Sequence, residues 1–446
     1  MRTPIGQGSM GQGSQKGEPP LRWLFLDFDS YFASVEQQER ARWRGRPLIV
    51  VPLENTSATG AIAVSRQAKA LGVRRGMMVD EARRLCPGIG VFPARHEVYV
   101  AWHHRLMREI ERHAPLDQVH SVDEVSIRLG RSQREPDTAL ALARAIKAGI
   151  AARVGACLTC SIGIAPSRLL AKLAAEMDKP CGLRLLTGAD LPAAIAHLPL
   201  EDIPGISRGI SRRLARAGVS DIPGLWKLAP RQARAIWGSV TGERFIRAFH
   251  GQDVDAPPPG PPGSFGHGRV LEPARRTPPA AWPVACALVL KAAVRLRRAG
   301  MAAGGMTLAV RWLRGGPGAR QAGRGNAGDA AWSLRFAAST ESFVFLRKLE
   351  ALWAQCERAA RKRPDPRLRN VSVHLHHLEP ESARQLDLFD RMDGKARNRE
   401  RLWAEIDRLN RRFGARSVEP ASLRHLKLKY LGAKIAFGRI PEEGDF

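Results

Sequence analysis

Two short acidic strings carry the chemistry open to this chain: Leu26-Asp27-Phe28-Asp29-Ser30-Tyr31-Phe32 near the start, and Ser121-Val122-Asp123-Glu124 about a hundred residues later. Together they read as a two-metal site. Hard divalent cations want oxygen ligands, and two of them ~4 Å apart clamp the attacking and leaving oxygens of a displacement together. Carboxylates delivered from neighbouring strand ends supply that arrangement. The first string ends the apolar run Trp23-Leu24-Phe25-Leu26 and precedes a helix-like stretch from Ala33 to Arg40, so Asp27 is expected where a strand hands over to a helix. The second pair follows turn-like sequence and borders Val125 and Ile127. Taken alone, an Asp-x-Asp after a strand also serves as a cap or a solvated turn.

The elements that must position these acids belong to a modular chain. At 446 residues it is too long for one ordinary core and implies about three domains or more. Lysine and arginine outnumber aspartate and glutamate by 71 to 43, a net charge of +28, which is the electrostatic footprint of a protein with a polyanionic partner. Nucleic acid leads. A membrane is not expected, since no run reaches ~18 apolar residues and no lipidation motif is visible. Residues 1–20 are rich in Gly, Gln, Ser and Pro and read as a disordered tail rather than a signal peptide. Six cysteines without a framework spacing fit a reducing cytoplasm. Cys157 and Cys160 form a C-x-x-C in a strand-like run, where residues three apart face opposite sides and no second pair completes a zinc site; two buried thiols are the simpler reading.

Further landmarks surround the acids: Thr159-Cys160-Ser161-Ile162-Gly163-Ile164-Ala165-Pro166-Ser167-Arg168-Leu169-Leu170-Ala171-Lys172-Leu173-Ala174, then Asp178-Lys179-Pro180-Cys181-Gly182-Leu183, then Asp202-Ile203-Pro204-Gly205-Ile206. In this order, and over roughly residues 22 to 380, they resemble the Y-family translesion DNA polymerases, in particular the bacterial polymerase IV and UmuC-like branches. The resemblance implies a multidomain α+β right hand. Its palm, a mixed sheet plus helices, is expected at 21–41 and 98–187, fingers at 42–97, and a helix-hairpin-helix thumb at 188–254. A Pro-rich linker at 255–263 precedes an α/β little finger at 264–378, and a C-terminal tail occupies 379–446. Between Ser264 and His376 there are 20 Lys and Arg against 6 Asp and Glu, a net +14 and half of the total excess.

Carried over by position, Asp27, Asp123 and Glu124 are the implied catalytic acids and, with the Phe28 carbonyl, the ligands of two Mg²⁺ ions, for which Mn²⁺ can substitute. Glu124 needs a bulge or strand end to point the same way as Asp123. Asp29 is either a support for the ligands or structural. Lys179 corresponds to a triphosphate-contacting lysine. Arg66 and Lys69 stand where the family often has Tyr and Arg three apart, so the charge survives and the tyrosine does not. The usual Asp-Glu-Ala-Tyr-Leu-Asp continuation becomes Asp123-Glu124-Val125-Ser126-Ile127-Arg128, which keeps the acids. Phe32 matches the aromatic gate that excludes a 2′-hydroxyl, with Tyr31 lining the same pocket, although an aromatic pair after a strand also serves as plain core. In the thumb, the Gly205 turn, Ser207 and Arg208 are the implied DNA contacts, backbone N–H groups meeting phosphate at a helix start. No second acid constellation suggests a proofreading exonuclease.

Beyond the polymerase-like region, Gln385-Leu386-Asp387-Leu388-Phe389 resembles the bacterial sliding-clamp peptide, in which Gln385, Leu386, Leu388 and Phe389 fill an apolar pocket; the alternative is an amphipathic turn packed on its own domain. Ala396 to Phe413 reads as an amphipathic basic helix without an assigned role. The implied protein is a monomeric cytoplasmic polymerase of damage tolerance whose partners are primer-template DNA, dNTPs and the clamp. Competing readings are a catalytically silent adaptor in a mutagenesis complex and a palm-fold nucleotide cyclase.

Overall fold

The computed structural model describes residues 20–52, 59–254, 260, 262–313, 329–383, 394–414, 417–423, 426 and 440. Gln385 to Phe389 lie outside the described residues, as do Asp255 to Pro259 of the proline-rich run. The chain forms two compact units, Met1–Ala256 and Pro257–Phe446.

Among the described residues, the first unit has eight strands: β1 (Trp23–Phe28), β2 (Leu48–Val51), β3 (Ala63–Val64), β4 (Gly90–Pro93), β5 (Gln118–Val119), β6 (Glu124–Arg128), β7 (Cys160–Ala165) and β8 (Leu183–Leu185). A five-stranded mixed sheet has the order β5-β6-β1-β7-β8, and a three-stranded sheet has the order β3-β2-β4. Every residue of β1 and of β7 is buried, which is why both read as near-continuous apolar runs without alternation. Trp23 and Phe25 pack against the helix Arg168–Met177, and Asp27 shares their face through the two-residue period of the strand. Gly163 permits that helix to approach, because a Cβ there would strike the Ala171 carbonyl and the Ala175 backbone nitrogen. The same apolar cluster continues through Ile203, Ile206, Ile210, Leu214, Ile246 and Phe249, so the helical segment after residue 190 shares a core with the sheet.

Several elements differ in detail from the sequence reading. The first helix is Tyr31–Glu39 and begins after Ser30, which adopts a left-handed φ of 51°. The helix from Pro136 is α-helical to Gly149 and then widens into a π turn over Ile150–Val154. The basic helix of the hairpin segment runs from Arg208 to Arg216. Cys157 is half-buried in the turn before β7 and Cys160 is buried at its first position. Burial raises both thiol pKa values, that of Cys160 to about 12, which suits inert thiols.

In the second unit β9 (Ser264–Val270), β10 (Met301–Trp312), β11 (Asp329–Ser339) and β12 (Leu368–Pro380) form an antiparallel sheet of order β11-β10-β12-β9. Met306, Leu308, Val310, Val371, Val373 and Leu375 pack under the helices Pro278–Arg298 and Ser342–Arg361. The first of these helices, at 21 residues and a mean hydropathy of 1.4 over its best window, is long and apolar enough to cross a membrane by length and composition, although Lys291 and Arg295 interrupt its apolar run. Its apolarity has a packing cause, since Val284, Ala285, Leu288, Val289, Ala292 and Leu296 are core residues of this unit. The C-terminal helix Gly394–Phe413 docks here too. Trp403 is buried with its ring 5.1 Å from Phe343, and Asp407 accepts two hydrogen bonds from Arg297, at 2.7 and 3.0 Å. Leu402 and Phe413 of the same helix, which its amphipathic pattern would bury, remain exposed.

Candidate active site

The acids gather at one end of the central strand. Asp27 sits one residue from the end of β1, directly opposite Glu124, the first residue of β6. Asp123 lies just before β6, and its carbonyl accepts the Phe28 N–H at 2.9 Å. The adjacent pair is therefore accommodated by a strand start rather than a bulge, Asp123 being free of the alternation that binds Glu124. Carboxylate oxygens of Asp27, Glu124 and Glu176 all lie within 4.8 Å of one another. Glu176 was not among the residues expected from sequence. It belongs to the last turn of Arg168–Met177, and its only sequence signal is a place three residues before Lys179. Asp123 stands outside that trio, held by the Ser121 hydroxyl.

Two lysines meet the cluster. Lys179 Nζ lies 2.8 Å from both Asp27 Oδ1 and Glu176 Oε1, and Lys172 Nζ donates to Glu124 Oε1 at 2.7 Å. Burial pushes the Asp27 carboxyl up to about 7; Lys179 pulls it down, while Glu176 and Asp123 add to the rise. Burial likewise raises Asp123, against the hydrogen bond from Ser121 and with Glu124 adding to the rise. Four carboxylates thus face two ammonium groups, and the most buried of them resist ionisation. An all-oxygen donor set with surplus negative charge fits hard divalent cations. Asp29 does other work: its carboxylate accepts from Thr159 Oγ1, Ser161 Oγ and the Cys181 N–H at 2.8–2.9 Å. Lys147 Nζ donates to the carbonyls of Cys160, Cys181 and Gly182. Both contacts pin the segment that follows Lys179 and Pro180.

Tyr31 is buried and Phe32 half-buried beside the acids, the Phe32 ring stacking on Tyr99. Arg66 and Lys69 stand exposed on the five-residue helix Arg66–Ala70, which is capped by Ser65, and among the described residues neither has an ion-pair partner. The structure does not bring them into contact with the acids. Gly205 turns the hairpin with φ +96°, and Ser207 precedes the helix that Arg208 opens. Gly205 and Ser207 line a cleft of about 590 Å³ whose other wall carries Lys172, Glu176 and Met177, so the hairpin and the acid cluster open onto one space.

Residues 26–176 match the model of the impB/mucB/samB family, and 262–388 match that of the impB/mucB/samB family C-terminal domain, together more than half of the chain. The DNA polymerase IV of Moorella thermoacetica is 40% identical over 201 residues, 45% of this chain and 50% of that protein. That of Pelotomaculum thermopropionicum is 29% identical over 415 residues, 89% of this chain and 93% of that one. Among solved structures, a Y-family DNA polymerase chimera of Dbh and Dpo4 superimposes with a TM-score of 0.65 at 21% identity, covering 80% of this chain and 98% of its own.

Proposed function

The chain belongs to the impB/mucB/samB family and has the multidomain fold of a Y-family DNA polymerase, and from that premise we propose that it extends primers by template-directed nucleotidyl transfer from dNTPs, copying past damaged bases. The observation that carries this reading is the convergence of Asp27, Glu124 and Glu176, with Asp123 beside them, at the end of β1. Two Mg²⁺ ions, or Mn²⁺, held by Asp27, Asp123, Glu124 and the Phe28 carbonyl would activate the 3′-hydroxyl and neutralise charge on the pyrophosphate leaving group. Lys179 offers a mobile ammonium that can leave carboxylate for phosphate. Arg66 and Lys69 add positive charge from the three-stranded sheet's segment, the fingers. Phe32 excludes a 2′-hydroxyl, and Tyr31 lines the same pocket. Gly205, Ser207 and Arg208 present N–H groups and a guanidinium to a strand phosphate.

We keep as the proposed division a palm at 21–41 and 98–187, fingers at 42–97, a thumb at 188–254, a linker at 255–263 and a little finger at 264–378. Gln385, Leu386, Leu388 and Phe389 recruit the protein to a bacterial sliding clamp, and it works as a cytoplasmic monomer. Primer extension with Mg²⁺ on undamaged and lesion-bearing templates tests the reading. Extension opposite and beyond a lesion is expected; no incorporation on any template with the acids intact would overturn it and favour a silent adaptor.

A further inference from the structure

The Phe32 ring does not stand alone. It lies flat against Tyr99, centroids 4.2 Å apart and planes 14° from parallel, with the His96 ring edge-on at 6.1 Å and Tyr31 tilted at 5.9 Å. Tyr99 is fully buried and is held at both ends. Its backbone carbonyl accepts the Tyr31 hydroxyl at 2.6 Å, and its own hydroxyl donates to Glu36 Oε1 at 2.8 Å. Glu36 has no exposed surface. Arg95 grips it through two hydrogen bonds, Nε to Oε1 at 3.0 Å and Nη2 to Oε2 at 2.8 Å, and Arg40 pairs with it one helical turn away. A buried carboxylate with two guanidinium partners is a stiff anchor, because moving either partner leaves charge unpaired in a dry interior. The acceptor is thus fixed, the Tyr99 hydroxyl is fixed on it, and the ring plane follows.

A gate excludes a 2′-hydroxyl only if it cannot recede. We propose that Tyr99, clamped by Tyr31 and by the Glu36–Arg95 pair, is a positioning residue for sugar discrimination: it is the wall that keeps Phe32 forward. Well-packed aromatic neighbours leave a ring no space to retreat, whereas a flexible chain of similar volume yields. The ion pair therefore contributes to choosing deoxyribose over ribose without touching the nucleotide. The inference rests on Phe32 as the sugar gate.

The test compares dNTP and rNTP incorporation, kcat and KM separately, in the full-length protein and four variants. Phe32→Ala should lose discrimination by about 100-fold, one end of the range a steric contact supplies. Tyr99→Met fills the volume but not the plane, and should lose about 10-fold through a rise in rNTP kcat/KM, while dNTP kcat/KM stays within about 3-fold. Tyr99→Phe keeps the stacked plane and should preserve discrimination within about 3-fold. Arg95→Lys keeps the charge but not the two-point grip, and should fall between them. Wild-type discrimination in folded Tyr99→Met, alongside its loss in Phe32→Ala, overturns the backing role and leaves the gate standing. Unchanged discrimination in Phe32→Ala overturns both. If Tyr99→Met does not fold, Arg95→Lys decides in its place: unchanged discrimination there overturns the proposal.

Discussion

The acid cluster of the first unit and the sheet of the second solve opposite problems. In the first, oxygens from two strands and a helix are held within 4.8 Å inside a chain of net charge +28, and each has a named partner. The open face of the second unit's sheet sets the exposed Arg311 and Arg335 among small or weakly polar side chains, Gly266, Gly268, Gly305, Thr307, Ala309, Ser333 and Ser372, with His374 and His376. Several arginines of its basic excess are occupied within the unit, Arg297 by Asp407, Arg269 by Glu272 and Arg367 by Asp365. Chemistry needs a few atoms placed closely, so each is indispensable. A grip that must accept any template needs only a smooth surface and summed charge, so no single residue is.

That contrast breaks most readily at Asp123. Asp123→Ala should lower kcat of primer extension by about 10³-fold or more while leaving primer-template affinity nearly unchanged, because the grip lies elsewhere; paired extension and fluorescence-anisotropy assays read both. Wild-type rates would remove the acids from the chemistry. Replacing Leu388 and Phe389 together by alanine should leave extension of short primers intact and abolish stimulation by a loaded clamp, a loss of order 10²-fold, since tethering raises local concentration without adding a contact to reacting atoms. Equal stimulation in both proteins, checked by clamp pull-down, would place recruitment outside residues 385–389.

A smaller effect is expected in the second unit. If the open sheet face carries the DNA backbone, Arg335, exposed on it, would make one phosphate contact among many, so Arg335→Ala should weaken DNA binding uniformly across sequences and reduce the log-log salt slope by about 1. Removing residues 264–376 should flatten that slope by ~4 to 5. A single substitution with the effect of the whole deletion would mean that this unit, like the first, depends on one placed charge.

The subtlest difference concerns protons. Asp27, with its carboxyl pushed up to about 7, binds a proton in the folded protein between about pH 4 and pH 7 where the unfolded chain does not. This group's contribution to stability is therefore largest below pH 4 and falls as pH rises through 7, until a cation takes the proton's place. Mg²⁺ titration calorimetry in buffers of different ionisation enthalpy should show proton release at pH 6 that disappears by pH 8.5. Asp27→Asn should remove it. Two histidines point the other way. Burial lowers His103 to about 4 in the first unit and His267 to about 3 in the second, so both bind protons more readily unfolded, and their contribution is lost as pH falls from about 6.5. Thermal melts across pH 4 to 8, with and without Mg²⁺, separate the two trends.

Much of the molecule was legible in its residues. The apolar run before Asp27, the helix-like stretch after it and the turn before Asp123 follow from period and breakers, which act within a few residues and need no distant partner. The order of the landmarks sufficed to place the chain among the Y-family polymerases. Tertiary structure decided what lies between elements. Glu176 joins the acids only because Gly163 lets its helix close on β7, bringing that helix's last turn over the end of β1. Tyr99 backs Phe32 across 67 positions of sequence, through a carboxylate that looks from its neighbours like any solvated helix residue. Trp403 and Asp407 give the C-terminal helix a docking site on the second unit that its amphipathic pattern left unspecified, with Leu402 and Phe413 turned outward. Spacing specifies which side chains share a face; which faces meet, and how far their charges are dried out, is set by packing over the whole unit. For that reason the acids proposed as ligands could be named from the chain, whereas the raised Asp27 pKa and the packing of Tyr99 behind Phe32 emerged only from the fold.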